Sequence, residues 1–183
     1  MRVSAPPLLL IAVLLFSAAA DETVTITHDS MDRRFVIHTP PSYDGTIRVP
    51  LVLDFHGYGG SPISQKGLSG FLGKSDEEGF IVVWPEGYES SWNAGPACCG
   101  GAVTDSIDDI GFILQIVEFM KLGYEIDTTR IYATGHSNGS AICQRLANDA
   151  SGVFAAVAGF ALMLIVPVQV EYPVAVINFH GYD

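Results

Sequence analysis

Gly135-His136-Ser137-Asn138-Gly139 is the segment whose residue types and spacing point most directly to chemistry. It fits the pattern G-x-S-x-G, directly after a β-type run and directly before a helical one. A strand-to-helix turn this tight needs glycine on both flanks, because side chains there would collide with the neighbouring strand and helix. Such a turn lifts the serine hydroxyl above the sheet, at the positive end of the helix, where a general base can reach it. Ser137 is therefore the candidate nucleophile. The competing account is a glycine-rich turn with an incidental serine, and the flanking strand and helix weigh against it.

A second segment, His56-Gly57-Tyr58-Gly59-Gly60, ends another β-type run. A serine that attacks a carbonyl creates a tetrahedral oxyanion, which needs preorganised N–H donors. The Asn138 amide, next after the serine, is one candidate donor. The Tyr58 amide is the other, with Gly59 as its alternate, and the glycines let this backbone approach a ligand closely. His56 reads as a structural hydrogen-bonding residue. Asn138-Gly139-Ser140 also matches the N-glycosylation sequon, but a turn this tight leaves Asn138 no room for a glycan. Tyr88 and Trp92 are candidates for lining a substrate pocket; packing their own long loop is an equally good account of both.

These residues need elements to hold them. Thr23–His28 and Arg33–Thr39 alternate and are β-branched, Leu51–Phe55 and Phe80–Trp84 are short apolar runs, and residues 85–104 form a long loop. A helix is expected between residue 60 and Phe80. Another is expected over Ile107–Met120, with Ser106 and Asp109 at capping-box spacing. A strand at Arg130–Thr134, a helix at Asn138–Asn148 and strands at Val153–Val157 and Val174–Phe179 complete the series. Strands alternating with helices after an initial β run predict a mainly parallel sheet with helices on both faces, in one α/β domain over residues 21–183.

Composition narrows the function. Lys and Arg number 9 against 20 for Asp and Glu, a net charge of −11. Such a surface repels phosphate backbones, so nucleic acid is excluded as a partner, and anionic substrates are disfavoured. Met1-Arg2, the apolar run Leu8–Phe16 and Ser17-Ala18-Ala19-Ala20 have the layout of a secretory signal peptide, so residues 1–20 are expected to be removed on export. The apolar run is shorter than the roughly 20 residues a spanning helix needs, and no membrane attachment is expected after cleavage. Export makes a disulfide plausible among Cys98, Cys99 and Cys143. Neighbouring cysteines bond to each other only with strain, so one of the pair is expected to join Cys143. No His or further Cys stands at ligand spacing, so no metal is expected.

Taken together, the segments resemble those of the secreted polyhydroxybutyrate depolymerase and feruloyl or acetyl xylan esterase family of α/β-hydrolases. The resemblance runs from about Arg33 to Asp183. Leu53 to Gly60 resembles the family's oxyanion loop, and Val83-Trp84-Pro85-Glu86-Gly87 its strand ending in a P-x-G turn. Trp92-Asn93-Ala94-Gly95 to Cys98-Cys99-Gly100 is similar to its W-x-x-G…C-C segment, and Asp108-Asp109-Ile110-Gly111-Phe112 to its helix start. Arg130 to Gly139 is close to its elbow residue by residue, and His180-Gly181 resembles the start of its H-G-T-x-D acid segment.

The resemblance implies an α/β-hydrolase fold lacking its last strand and helix, a secreted esterase activity on neutral polymer or oligomer esters, and no cofactor. Triad members in that fold follow the order nucleophile, acid, base. Asp183 is either the acid shifted by one residue or the neighbour of an acid just past the chain end, and the spacing favours the neighbour. None of the five histidines occupies the position of the base, which is expected beyond residue 183; the chain by itself is expected to turn over little or no ester. Two other classes compete: a non-catalytic binding module on the same fold, and a serine peptidase of the same fold.

Overall fold

The computed structural model describes residues 21–96, 98–163 and 170–181. The expected signal segment and Asp183 both lie outside the described residues.

Twelve elements follow one another along the described chain. They are strands β1 (Asp21–His28), β2 (Met31–His38) and β3 (Val49–Phe55), helices α1 (Pro62–Ser69) and α2 (Phe71–Glu78), β4 (Ile81–Pro85), α3 (Gly101–Thr104), α4 (Asp109–Gly123), β5 (Ile126–His136), α5 (Asn138–Asp149), β6 (Ala156–Phe160) and β7 (Ala175–Phe179). The seven strands form one sheet in the order β1-β2-β4-β3-β5-β6-β7. β1 and β2 form an antiparallel hairpin, β2 meets β4 antiparallel, and every pairing from β4 to β7 is parallel.

Alternation along the strands divides the core in two. The odd-numbered side chains of β3 and β4 (Leu51, Leu53, Phe55, Ile81, Val83) join Phe112, Ile116 and Met120 of α4 and Ile142 and Leu146 of α5 in the larger cluster. Val36, Val82 and Trp84 face the other way, against Phe71 and Leu72 of α2. Helices thus cover both faces, as the sequence pattern predicts. Among the described residues, no helix is long and apolar enough to cross a membrane.

Boundaries differ from the sequence expectation where two signals compete. One helix was expected before β4, but Gly70, at φ 71°, ends α1 and opens α2. α4 is capped by Asp108, whose carboxylate accepts the Gly111 amide, and Ser106 stands outside the helix at φ 55°. The short helix α3 forms inside the segment expected to be a loop. β6 begins three residues later than expected, because Phe154 is a buried anchor in the turn before it rather than a strand residue.

Candidate active site

β5 delivers its chain to Ser137, and α5 departs from it one residue later. Ser137 has φ 54° and ψ −119°, a conformation that costs a non-glycine residue about 1–3 kcal/mol and persists only where the surroundings enforce it. The Ser137 amide donates to the Phe160 carbonyl (2.8 Å), and its carbonyl accepts the Ala141 amide of α5 (3.1 Å). The flanking glycines are required by space. A Cβ on Gly135 would lie 2.5 Å from the Gly139 carbonyl carbon, and one on Gly139 would overlap the Phe55 carbonyl oxygen. The serine is therefore held clear of the sheet at the N-terminus of α5, where backbone N–H groups point outward.

The loop after β3 lies directly beside it. A Cβ on Gly57 would stand 3.4 Å from the Ser137 Cβ and 3.2 Å from Nδ1 of His136. His56, buried behind this loop, fixes its backbone. His56 Nε2 accepts the Gly87 amide (2.9 Å), so the ring proton sits on Nδ1 and is donated to the Gly57 carbonyl (2.8 Å). Gly60 N–H donates to the same oxygen (3.0 Å). Within a planar trans peptide the N–H points away from the C=O, so two donors on Gly57 O also set the direction of the Tyr58 amide. Burial pushes the His56 imidazole below its usual pKa, which keeps it in the neutral form this arrangement requires. The alternate donor, the Gly59 amide, is committed to the Ser90 carbonyl (2.8 Å). Among the described residues, no acceptor is engaged by the Tyr58 amide.

One pocket expectation is corrected. Trp92 does not face a pocket: it is fully buried, edge-on to Phe55 at 5.2 Å, with its indole N–H donated to the His56 carbonyl (2.9 Å). An aromatic ring with one polar atom satisfies its donor while filling the core, and that outweighs display to solvent. Tyr88 donates its hydroxyl to Asp105 (3.1 Å) and lines a cleft of about 400 Å³ with Met31, Arg34 and Glu86. Ser137, Tyr58 and Asn138 are not among the residues that line that cleft. A second, mostly apolar cavity of about 390 Å³ is lined by His136, the residue before the serine, with Leu68, Phe71, Thr134 and Phe160 also in its walls.

The disulfide expectation is corrected as well. Cys98 and Cys99 are bonded to each other, and Cys143 is a free, buried thiol. Cys143 is fully buried on α5, five residues past Asn138, whereas the Cys98 sulfur lies 3.9 Å from the Asn138 side chain at the start of that helix.

Three roles escaped the sequence. Asp54, buried between β3 and α1, accepts from Gln65 Nε2 (2.7 Å) and Trp84 Nε1 (2.9 Å), and burial raises its carboxyl to about 6 despite those donors. Asp109 is fully buried and binds Arg33 (2.7 Å) and the Asn93 amide (2.7 Å), tying the long loop to β2 and α4. The Asn138 side chain binds the Trp92 backbone. Alternation marks Asp54 as strand but not its partners, and the other two contacts span at least 16 residues of chain. His28, Asp29 and Asp108 bring ligand-type atoms within 4.8 Å of one another at the β1–β2 turn, but His28 is already engaged there by Gln115 and Asp108.

A seven-stranded sheet of this order, with a glycine-flanked serine turn closing β5 and leading into α5, is the α/β-hydrolase fold. Among solved structures, an acetyl xylan esterase from Aspergillus awamori shares it at a TM-score of 0.64 and 21% identity, over 77% of this chain and 52% of that one. An S-formylglutathione hydrolase from Staphylococcus aureus does so at 0.61 and 13%, over 79% and 57%. In sequence, the chain is similar to NocK of Nocardia uniformis, which carries an esterase designation, at 30% identity over 72% of this chain and 39% of the relative. It is 34% identical to a bifunctional acetylxylan esterase/xylanase of Neocallimastix patriciarum over 49% of this chain and 12% of that protein. It is 26% identical to feruloyl esterase B of Piromyces equi, over 81% and 28%. The chain therefore spans well under half the length of these curated relatives. No family model matches it.

Proposed function

We propose that the chain is the nucleophile-bearing part of a secreted serine esterase that hydrolyses neutral carboxylic esters, of polyhydroxyalkanoate or of feruloyl or acetyl polysaccharide, through an acyl-enzyme. The observation that carries this reading is the forced backbone of Ser137 beside Gly57, which presents one hydroxyl between two amide-bearing loops.

Ser137 Oγ attacks the ester carbonyl carbon and its proton passes to a general base. The carbonyl oxygen takes up negative charge, which the Tyr58 and Asn138 amides receive. The tetrahedral intermediate collapses, the C–O bond to the alcohol breaks, and the base returns the proton to that alcohol. Water, deprotonated by the same base, then attacks the acyl group and frees Ser137. The base and the acid that orients it are assigned to sequence following Tyr182, with Asp183 the acid or its neighbour. The greater length of the relatives and the triad order of the fold support that assignment.

The test is turnover of a feruloyl ester, a hydroxybutyrate oligomer and a peptide amide, side by side, by the full-length protein. The ester reading expects hydrolysis of at least one ester and no amide cleavage. Preferential amide cleavage establishes the peptidase instead, and no turnover of any of the three favours the binding module.

A further inference from the structure

One of the two amides assigned to the oxyanion comes from the loop after β3 and the other from the first residue of α5, and the sheet does not hold them together. The main-chain ladder between β3 and β5 ends at the pair Phe55 and Gly135. Tyr58 and Asn138 each lie three residues past that pair. Something other than sheet pairing has to set their separation, since a shift of about an ångström in such a site costs orders of magnitude in rate.

The link is made of side chains. Asn138 is fully buried, and both polar atoms of its side chain engage one residue: Oδ1 accepts the Trp92 amide (2.7 Å) and Nδ2 donates to the Trp92 carbonyl (3.0 Å). Two bonds to one backbone unit fix the plane of the carboxamide and with it the first turn of α5. Trp92 carries the link onward, because its Nε1–H is donated to the carbonyl of His56. His56 in turn holds the Gly57 carbonyl, which aims the Tyr58 amide. The stretch between Gly87 and Trp92 is anchored to the same loop twice more, through Gly87 N–H to His56 and Gly59 N–H to Ser90. Each side-chain polar atom of Asn138, Trp92 and His56 has its partner, and an apolar side chain in place of Asn138 would strand the buried Trp92 N–H and C=O.

We infer that the Asn138 side chain and the Trp92 indole are positioning groups that fix the distance between the Tyr58 and Asn138 amides. The inference rests on the serine esterase reading. Neither side chain reaches the reacting atoms, so their loss acts on the developing oxyanion and leaves ground-state ester binding alone.

The experiment compares Asn138→Ala, Trp92→Phe and the double variant in the full-length protein on whichever ester it hydrolyses best. Trp92→Phe keeps a six-membered ring but removes the N–H together with the five-membered part of the indole, so its thermal melt is read beside its kinetics. Each single variant is expected to lower kcat about 10- to 100-fold with KM within about twofold, a fraction of the loss seen when an oxyanion donor is removed outright. Affinity for a trifluoromethyl ketone analogue of the ester, whose adduct carries the oxyanion, is expected to fall in parallel. Because the two groups act in series, the double variant is expected to lose little more than the worse single one. Unchanged kcat in both single variants, a rise in KM alone, or fully additive losses would overturn the inference. If Asn138→Ala does not fold, as judged by its thermal melt, Trp92→Phe decides alone. The two levels fail separately: a wild type without esterase turnover sinks the function, whereas an active wild type with unaffected variants sinks only this relay.

Discussion

Buried polar residues in this chain carry consequences that can be measured one at a time, and Asp54 is the clearest. It is almost fully buried, and its carboxyl is raised to about 6 by loss of water, against the pull of the Gln65 and Trp84 donors. An acid whose folded pKa lies above its unfolded value contributes stability that is fully present below the unfolded pKa, near 4, and is lost as pH rises through about 6. The neutral carboxyl is the form the site favours. Asp54→Asn removes the titration, so the stability of the variant relative to wild type is expected to improve by about 2 kcal/mol between pH 4 and pH 7, read by denaturant unfolding across that range. A constant difference over the window would show that the Asp54 carboxyl has the same pKa in the folded and unfolded states. Asp54 was legible in the sequence only as part of the strand Leu51–Phe55. Its partners stand 11 and 30 residues away, and alternation says nothing about which buried polar groups will meet.

At the scale of elements, glycine does two different jobs, and the sequence shows only one of them. The G-x-S-x-G turn is legible because its demand is local: strand, sharp turn and helix must follow within five residues. The structure adds which atoms impose it. A Cβ on Gly139 meets the Phe55 main chain, which cannot yield, so Gly139→Ala is expected to destabilise the fold by about 3 kcal/mol or more. Gly67 of α1 has no atom within 4 Å of where its Cβ would be, so Gly67→Ala is expected to stabilise by about 0.5–1 kcal/mol through helix propensity alone. Thermal melts of the two variants check both signs, and equal effects would contradict the geometry. Where signals were not local, the expectation slipped. Ser106 and Asp108 are both good caps, and the choice went to Asp108, beside the Asp109 that Arg33 holds in the core. Trp92 in a glycine-rich loop reads equally as pocket wall or as core, and only its contact with His56, 36 residues away, decides.

For the molecule as a whole, the sheet order and the two helical layers place the serine turn, the loop after β3 and the long loop from Glu86 to Gly100 at one end of the parallel strands. That convergence could be expected from the order of motifs, because each follows the end of a strand in a parallel sheet. What could not be expected was how the long loop serves the site: it braces the site through the Asn138, Trp92 and His56 contacts.

The account stands or falls on Ser137. Its most direct test is to treat the folded full-length protein with a fluorophosphonate ester, locate the adduct by peptide mass spectrometry, and measure ester hydrolysis in parallel. The account predicts a single adduct on Ser137 that forms as activity is lost, with neither labelling nor hydrolysis in a folded Ser137→Ala variant. An adduct on another residue, or a Ser137→Ala variant that hydrolyses the ester at the wild-type rate, would contradict it.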